Sequence, residues 1–367
     1  MAKFKKRLII FMPSMEGGGV EKNLILVSNY LIKYFENITL ITFDNKFNNR
    51  FNHKIKIINS NYKSNKRYSK YFKYFACIIL LINEIIKKET PIVFSFQANI
   101  YCCLLSLFFN FNLIVRSNTA PAGWNKNILK KFIFKIFLKR AKYIIVNSAD
   151  FKKDLDKEFK VNSKLIYNPL NILEIKRLSK EKLVEKIYSK NSLKIINIGR
   201  FTDQKDHITL LKAFKEVRKK TNCELLIMGY GVKKLMIKNF IEKNKLKKYI
   251  KILNYKKNPY KYLAKSNLFV LTSLYEGLPN VLLESLALKK LVISTDCPTG
   301  PREILKNGKY GILFKTQDYI RLSKIILSYN KNIQNYKKIS NAGYKSLDRF
   351  DFTKNCKKYL DIIKKCI

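Results

Sequence analysis

Two glutamates eight positions apart, Glu276 and Glu284, bracket the run Gly277-Leu278-Pro279-Asn280-Val281-Leu282-Leu283. Gly277 permits a tight backbone and Pro279 suits the first turn of a helix. The spacing therefore predicts Glu276 just ahead of a helix and Glu284 inside it. Amides around Leu278 to Val281 would form an anion-binding helix N-terminus, and Glu284 could accept hydrogen bonds from ribose hydroxyls. A second run, Gly199-Arg200-Phe201-Thr202-Asp203-Gln204-Lys205, follows an apolar stretch and carries two cations on one loop. Two such cations suit a diphosphate, with a solvated basic loop as the plain alternative. Gly229-Tyr230-Gly231 follows the next apolar stretch and allows close backbone approach; Asp296 to Glu303 is a turn-rich loop.

Strands must hold these loops. In the C-terminal half, Leu193 to Gly199, Glu224 to Met228, Tyr249 to Leu253, Leu268 to Thr272 and Leu291 to Ser294 read as short buried strands. Between the first two, Leu210, Leu211, Phe214 and Val217 share one face of a helix over Ile208 to Lys220. The N-terminal half shows the same rhythm, with Arg7 to Ser14, Ile38 to Thr42, Ile55 to Ile58, Pro91 to Ser95, Leu113 to Arg116 and Tyr143 to Asn147. After its first strand come Gly17-Gly18-Gly19 and a helical stretch, Val20 to Tyr30. Strands alternating with helices predict a parallel α/β sheet in each half. The expected fold is α/β, two Rossmann-like domains facing across a cleft, with ligands at the strands' carboxyl ends. We expect domains at 1–180 and 181–350, and a helix over 351–367 packing back toward the N-terminal domain.

Together these motifs resemble the retaining nucleotide-sugar glycosyltransferases of family 4, which have the GT-B fold. Glu276 and Glu284 match the family's E-x7-E motif in the setting EGLPNVLLESLA, and Gly199, Arg200 and Lys205 match G-R-x4-K. GGGVEKNL, AKYIIVNSAD and IYNPLN also fit, so the resemblance runs nearly end to end. It implies catalytic roles for Glu276, Arg200 and Lys205, with Arg200 and Lys205 on the donor diphosphate and Glu284 on the ribose. Glu276, with Gly277, Leu278, Pro279 and Asn280, would meet the donor sugar. Gly199, Gly229 and Tyr255 belong to the same donor side, and Gly18 and Gly19 would approach the diphosphate from the other domain. Fixed cations and amides can neutralise a departing diphosphate, so neither metal nor other cofactor is expected. The chain departs from the family in one respect: many relatives carry an N-terminal histidine near the donor sugar, whereas here the histidines are His53 and His207, neither in an expected cleft loop. Asn99, Arg116 and Asn118 lie at strand ends where that residue could be replaced, with a structural turn as the alternative. The loop DCPTGPREIL resembles transferases using UDP-linked galactose-type or N-acetylhexosamine donors, so UDP is expected.

Composition narrows the setting. The chain has 367 residues, 74 Lys and Arg against 26 Asp and Glu, and a net charge of +48. An anionic partner is one source of that excess; a genome biased toward Lys, Asn and Ile is the other. Seven cysteines without a C-x-x-C pair argue against a disulfide framework or a zinc site. No apolar run reaches the roughly eighteen residues of a membrane span, and the first run is too short for a secretory signal. Trp124 to Tyr143 reads as a basic amphipathic helix, with Ile128, Leu129, Phe132, Ile133, Ile136 and Phe137 on one face; an ordinary domain helix is the alternative. Lys63 to Lys88 is a second basic, aromatic candidate. The expected partners are a nucleotide-sugar donor, a lipid-linked or oligosaccharide acceptor and an anionic membrane surface, with the protein cytoplasmic and peripheral on the inner face. Rival readings are a nucleotide-sugar epimerase, a phosphorylase-type enzyme and a basic nucleic-acid-binding protein. The last would show clustered Arg with aromatic platforms, whereas the charge here is mostly dispersed Lys.

Overall fold

A computed structural model of the chain describes residues 3–60, 68–87, 89–118, 128–183, 185 and 187–367, with the side chains of 128–130 left out. It divides into two compact units, Met1–Pro169 with Phe352–Ile367, and Leu170–Asp351. The division falls at residue 169 and not at 180. The helix Ile172–Ser179 buries Ile175 and belongs wholly to the second unit, although its Glu, Lys and Arg residues look like a linker in sequence.

Among its described residues, the first unit carries β1 (Leu8–Phe11), β2 (Ile38–Thr42), β3 (Lys56–Asn59), β4 (Ile92–Ser95), β5 (Asn112–Arg116), β6 (Tyr143–Val146) and β7 (Lys164–Leu165), in the order β3-β2-β1-β4-β5-β6-β7. Every pairing is parallel. LIIF and IVFS are buried along their whole length, as strands covered on both faces must be. On one sheet face Ile10, Phe94 and Ile114 pack with the helix Gly19–Leu31 and with Cys356, Tyr359 and Ile363 of the C-terminal helix Phe352–Lys364. On the other, Phe11, Val93, Leu113 and Val115 pack under the helices Lys70–Ile85, Asn99–Leu105 and Ala149–Phe159.

The second unit carries β8 (Leu193–Ile198), β9 (Cys223–Met228), β10 (Ile250–Leu253), β11 (Leu268–Leu271), β12 (Leu291–Thr295) and β13 (Ile312–Phe314), again all parallel, in the order β10-β9-β8-β11-β12-β13. Strand order reverses between β8 and β11, as it does between β1 and β4 in the first unit. In an open parallel sheet such a switch point spreads two successive loops apart at the carboxyl edge and leaves room for a ligand. The register pairs Leu193 with Cys223 and Leu268 with Ile195, so β8, β9 and β11 end level with one another. The loops after Ile198, Met228 and Leu271 therefore emerge side by side.

Candidate functional site

The loop after β8 starts at Gly199, whose amide donates to Met228 O at 3.0 Å; Phe201 N donates to Tyr230 O at 2.6 Å. These bonds press the loops after β8 and β9 together. A Cβ on Gly229 would stand 1.8 Å from Gly199 O, so only glycine fits there. Lys205 closes a single 3₁₀ turn, Asp203–Lys205, and its carbonyl accepts from Thr272 Oγ1 at 2.9 Å. Asp206 then caps the helix His207–Arg218, accepting from Thr209 N at 3.3 Å and Thr209 Oγ1 at 2.6 Å. The next residue, His207, is buried on the ring of Phe201, and burial lowers its pKa to about 4. It is therefore a neutral core residue at physiological pH and offers no acid or base to a ligand.

Across the switch point, Glu276 follows β11. Its carboxylate is 7% exposed; Oε1 accepts from Ser273 Oγ at 2.6 Å and from the Lys205 ammonium. The loop after β12 braces it from behind: Thr299 Oγ1 donates to Glu276 O, and Glu276 N donates to Pro298 O at 3.3 Å. Gly300, at φ +82°, backs onto Gly277 O so closely that a Cβ would lie 2.0 Å away. Gln204 Nε2 donates to Tyr275 O at 2.8 Å and Leu274 N to Gln204 O at 2.8 Å, binding the two switch-point loops to each other. Beside them Cys297 is buried, and burial with the nearby Glu276 charge pushes its thiol up to about 12. It stays protonated and inert.

The helix Asn280–Ala287 starts after Pro279, so its positive N-terminal end closely follows Glu276 along the chain. Glu284 lies inside it, 4% exposed, and accepts from Tyr260 OH at 3.3 Å. Arg200 is exposed on the β8 loop, and Tyr255 meets Tyr230 edge to face, centroids 6.1 Å apart, beyond the ends of β10 and β9. Gly199, Arg200, Lys205, Gly229, Glu276, Gly277, Leu278, Pro279 and Asn280 thus all lie on loops or helix starts at one sheet edge. Ser273, Thr299 and Tyr260 contribute contacts that the motifs do not announce.

In the first unit Gly17, at φ +88°, turns the chain after β1, and Gly18 caps the helix that Gly19 begins. Glu21 Oε1 accepts from Glu16 N at 2.9 Å, and a Cβ on Gly18 would meet Glu21 Oε2 at 3.0 Å. Ser14 N donates to Gln97 Oε1 at 2.9 Å, holding this loop to the one after β4 at the unit's own switch point. Asn99 joins Ser95 Oγ (2.8 Å) to Arg116 O (3.1 Å), and Asn118 Nδ2 donates to Phe96 O at 2.7 Å. Asn118 Oδ1 has no partner among the described residues. Arg116 corrects the expectation: it is 1% exposed, donates to Tyr359 OH at 2.9 Å and Asn168 Oδ1 at 2.7 Å, and lies over the Phe96 ring. Side chains alternate along a strand, so residue 116 shares the face of Ile114, which the C-terminal helix covers. Its guanidinium is a structural tie. The chain's Asp-x-Asp spacing, Asp154-Leu155-Asp156, lies in the helix Ala149–Phe159, where Asp156 pairs with Lys152 and accepts from Ser163 N at 2.8 Å. Among the described residues no group of three or more His, Cys, Asp or Glu gathers to hold a metal.

Residues 178–346 match the family described as Glycosyl transferases group 1. That span contains both switch-point loops and both glutamates. The second unit thus resembles the glycosyltransferases of that group, and the two parallel-sheet Rossmann-like units have the architecture of the GT-B fold. The chain is 40% identical over 228 residues to an uncharacterized glycosyltransferase of Methanocaldococcus jannaschii, covering 56% of each chain. The match thus spans little more than half the length of that relative. It is 29% identical over 284 residues, 74% of this chain and 76% of the other, to the N-acetylgalactosamine-N,N'-diacetylbacillosaminyl-diphospho-undecaprenol 4-alpha-N-acetylgalactosaminyltransferase of Campylobacter jejuni. Its fold matches the Anabaena protein HepE, solved in complex with UDP and glucose, at a TM-score of 0.79 and 14% identity over 98% of this chain and 99% of that one.

The basic amphipathic segment also needs correction. Residues 119–127 lie outside the described residues, and the helix runs from Ile128 to Phe137. Phe134 and Phe137 pack on the core, while Phe132 and Ile136, expected on that same face, point outward. Lys131 pairs with Glu158 at 2.7 Å. Of the segment Lys63 to Lys88, residues 63–67 and Lys88 lie outside the described residues, and a helix covers Lys70–Ile85. No helix among the described residues is long and apolar enough to cross a membrane.

Proposed function

We propose that this glycosyltransferase moves a hexose or N-acetylhexosamine from a UDP-linked donor, with retention of configuration, to a lipid-linked or oligosaccharide acceptor. The observation that carries the reading is the second unit's switch point, where Lys205, Glu276 and the start of the helix bearing Glu284 meet on interlocked loops. A lysine ammonium has three donors; the one given to Glu276 leaves two for a diphosphate. With Arg200 and the helix N-terminus, that charge offsets the negative charge that develops on UDP as the anomeric C–O bond lengthens. The acceptor oxygen then bonds to the anomeric carbon on the same face, and its proton passes to the departing phosphate oxygen. Glu284 holds the ribose, Glu276 orients the donor sugar, and no metal takes part. On the acceptor side we retain Asn99 and Asn118. The UDP-bearing Anabaena structure and the Campylobacter transferase support the donor and acceptor classes, and place of action on the inner face of the cytoplasmic membrane follows from a lipid-linked acceptor.

Incubation with radiolabelled UDP- and GDP-sugars and a bacterial lipid extract tests this. Donor-dependent label in the organic phase or in oligosaccharide is expected. Label recovered only as isomerised free donor would instead make the protein an epimerase.

A further inference from the structure

The outer face of the first unit carries apolar side chains that stand exposed among the described residues. On the helix Lys70–Ile85, Tyr71, Phe75 and Ile79 recur every four residues, and all three are exposed, Phe75 at 63%. A helix on a water-facing surface presents polar residues at this spacing. Phe108, in the turn after the helix Asn99–Leu105, is 78% exposed, and Phe132 and Ile136 extend the surface from Ile128–Phe137.

These elements form one layer. The inner sides of all three helices pack on the same sheet face, through Cys77, Cys102 and Phe137. Tyr74 and Tyr101 join the first helix to the second, ring centroids 5.9 Å apart. Arg140, just beyond the third helix, donates to Ser106 O at 3.2 Å. The outward row is therefore a single face.

Charge decides what covers it. The three helices contain one acidic residue, Glu84, which is buried and paired with Arg7 and Lys87. Lys70 and Lys87 lie at the two ends of the first helix, and Lys135 and Lys139 in and just after the third, in a chain of net charge +48. A second copy brought to this face would add like charge to like. An anionic bilayer satisfies both features, taking rings among its acyl chains while lysine ammoniums reach the headgroups.

We infer that this face is a membrane-insertion surface: Tyr71, Phe75, Ile79, Phe108, Phe132 and Ile136 enter the interface of an anionic bilayer, and Lys70, Lys87, Lys135 and Lys139 hold its headgroups. Docking is then partly apolar, and high salt alone does not reverse it. The inference rests on the membrane-surface part of the proposed function, but its residues are separate from the donor site.

Flotation of the full chain with vesicles of 30% phosphatidylglycerol in phosphatidylcholine tests it. The wild type should float at low salt and stay partly bound at high salt. Tyr71→Ser/Phe75→Ser/Phe108→Ser should lower partitioning about tenfold or more at both. If that variant misfolds, Phe108→Trp in a Trp124→Phe background replaces it, and brominated phosphatidylcholine should quench the new indole. Equal flotation of the triple variant, or absence of quenching, would overturn the inference. So would a dimer in sedimentation that the triple variant abolishes, because the face would then belong to a second copy. A chain that binds UDP but ignores these vesicles sinks this inference and leaves the donor site standing; vesicle binding without UDP binding does the reverse.

Discussion

The Lys205–Glu276 pair offers a perturbation whose size follows from the structure. Glu276 is 7% exposed and Lys205's side chain 14%. Lys205→Met leaves the carboxylate with Ser273 Oγ as its side-chain donor, a neutral hydroxyl at 2.6 Å. Removing one partner of a fully buried pair costs about 3–5 kcal/mol. Residual solvent contact brings this toward about 2–3 kcal/mol. Glu276→Gln costs less, about 1–2 kcal/mol, because the cation retains some access to water. With both replaced, no charge is stranded, so the double variant should sit above Lys205→Met in stability, with a coupling energy of about 1–3 kcal/mol. A two-unit chain does not unfold in one step, so hydrogen exchange with mass spectrometry on peptides spanning 193–206 and 268–287 is the suitable assay. A loss of about 2–3 kcal/mol speeds exchange there roughly 30- to 150-fold, with little change in the first unit. Exchange in Lys205→Met that matches wild type, or a coupling energy within about 0.5 kcal/mol of zero, would refute the idea that this ion pair organises the switch point.

His207 is neutral when folded, with its pKa lowered from 6.5 to about 4 by burial. The unfolded chain binds the extra proton between those values, so stability should fall as pH drops from about 6.5 to about 4, by on the order of 3 kcal/mol; His207→Phe should flatten that slope in exchange measurements on the second unit. Arg116→Met should remove the donor to Tyr359 OH and Asn168 Oδ1 and destabilise the C-terminal helix by about 1–3 kcal/mol, read as faster exchange over 352–364. Acceptor KM in the folded Arg116→Met variant should stay at the wild-type value. Glu284→Gln should weaken UDP binding about tenfold, whereas Glu276→Gln should depress turnover with a smaller effect on UDP affinity; calorimetry showing the reverse would exchange their roles.

Much of this architecture is legible in the chain because parallel strands buried on both faces leave continuous apolar runs. Ile38–Thr42 is read to its ends, and the start of the helix at Asn280 is marked by Pro279; the helix expected over Ile208 to Lys220 runs from His207 to Arg218. The short strands Lys164–Leu165 and Ile312–Phe314 carry too few residues for a pattern. Charge disguises the helix Ile172–Ser179 as a linker. At the site, the cations and glutamates are visible because glycine and proline fix their backbone setting. Ser273 and Thr299 are not, since their bonds depend on which strands are neighbours, and sheet order leaves no local trace in sequence. Arg116 shows the same limit: its strand end is legible in sequence, but the face it takes depends on the register of β5. Phe132 and Ile136 look like core positions by spacing alone, and only the packing of Phe134 and Phe137 turns them outward.

The central claim is that the second unit's switch point holds a nucleoside diphosphate, and calorimetric titration of UDP into the wild type, Arg200→Ala and Lys205→Ala tests it most directly. Each variant loses a charge-assisted contact worth about 1.5–3 kcal/mol. The account predicts one UDP per wild-type chain, with a Kd between about 1 μM and 1 mM, and binding weakened about 10- to 150-fold in each variant. UDP affinity equal to wild type in both folded variants would contradict it.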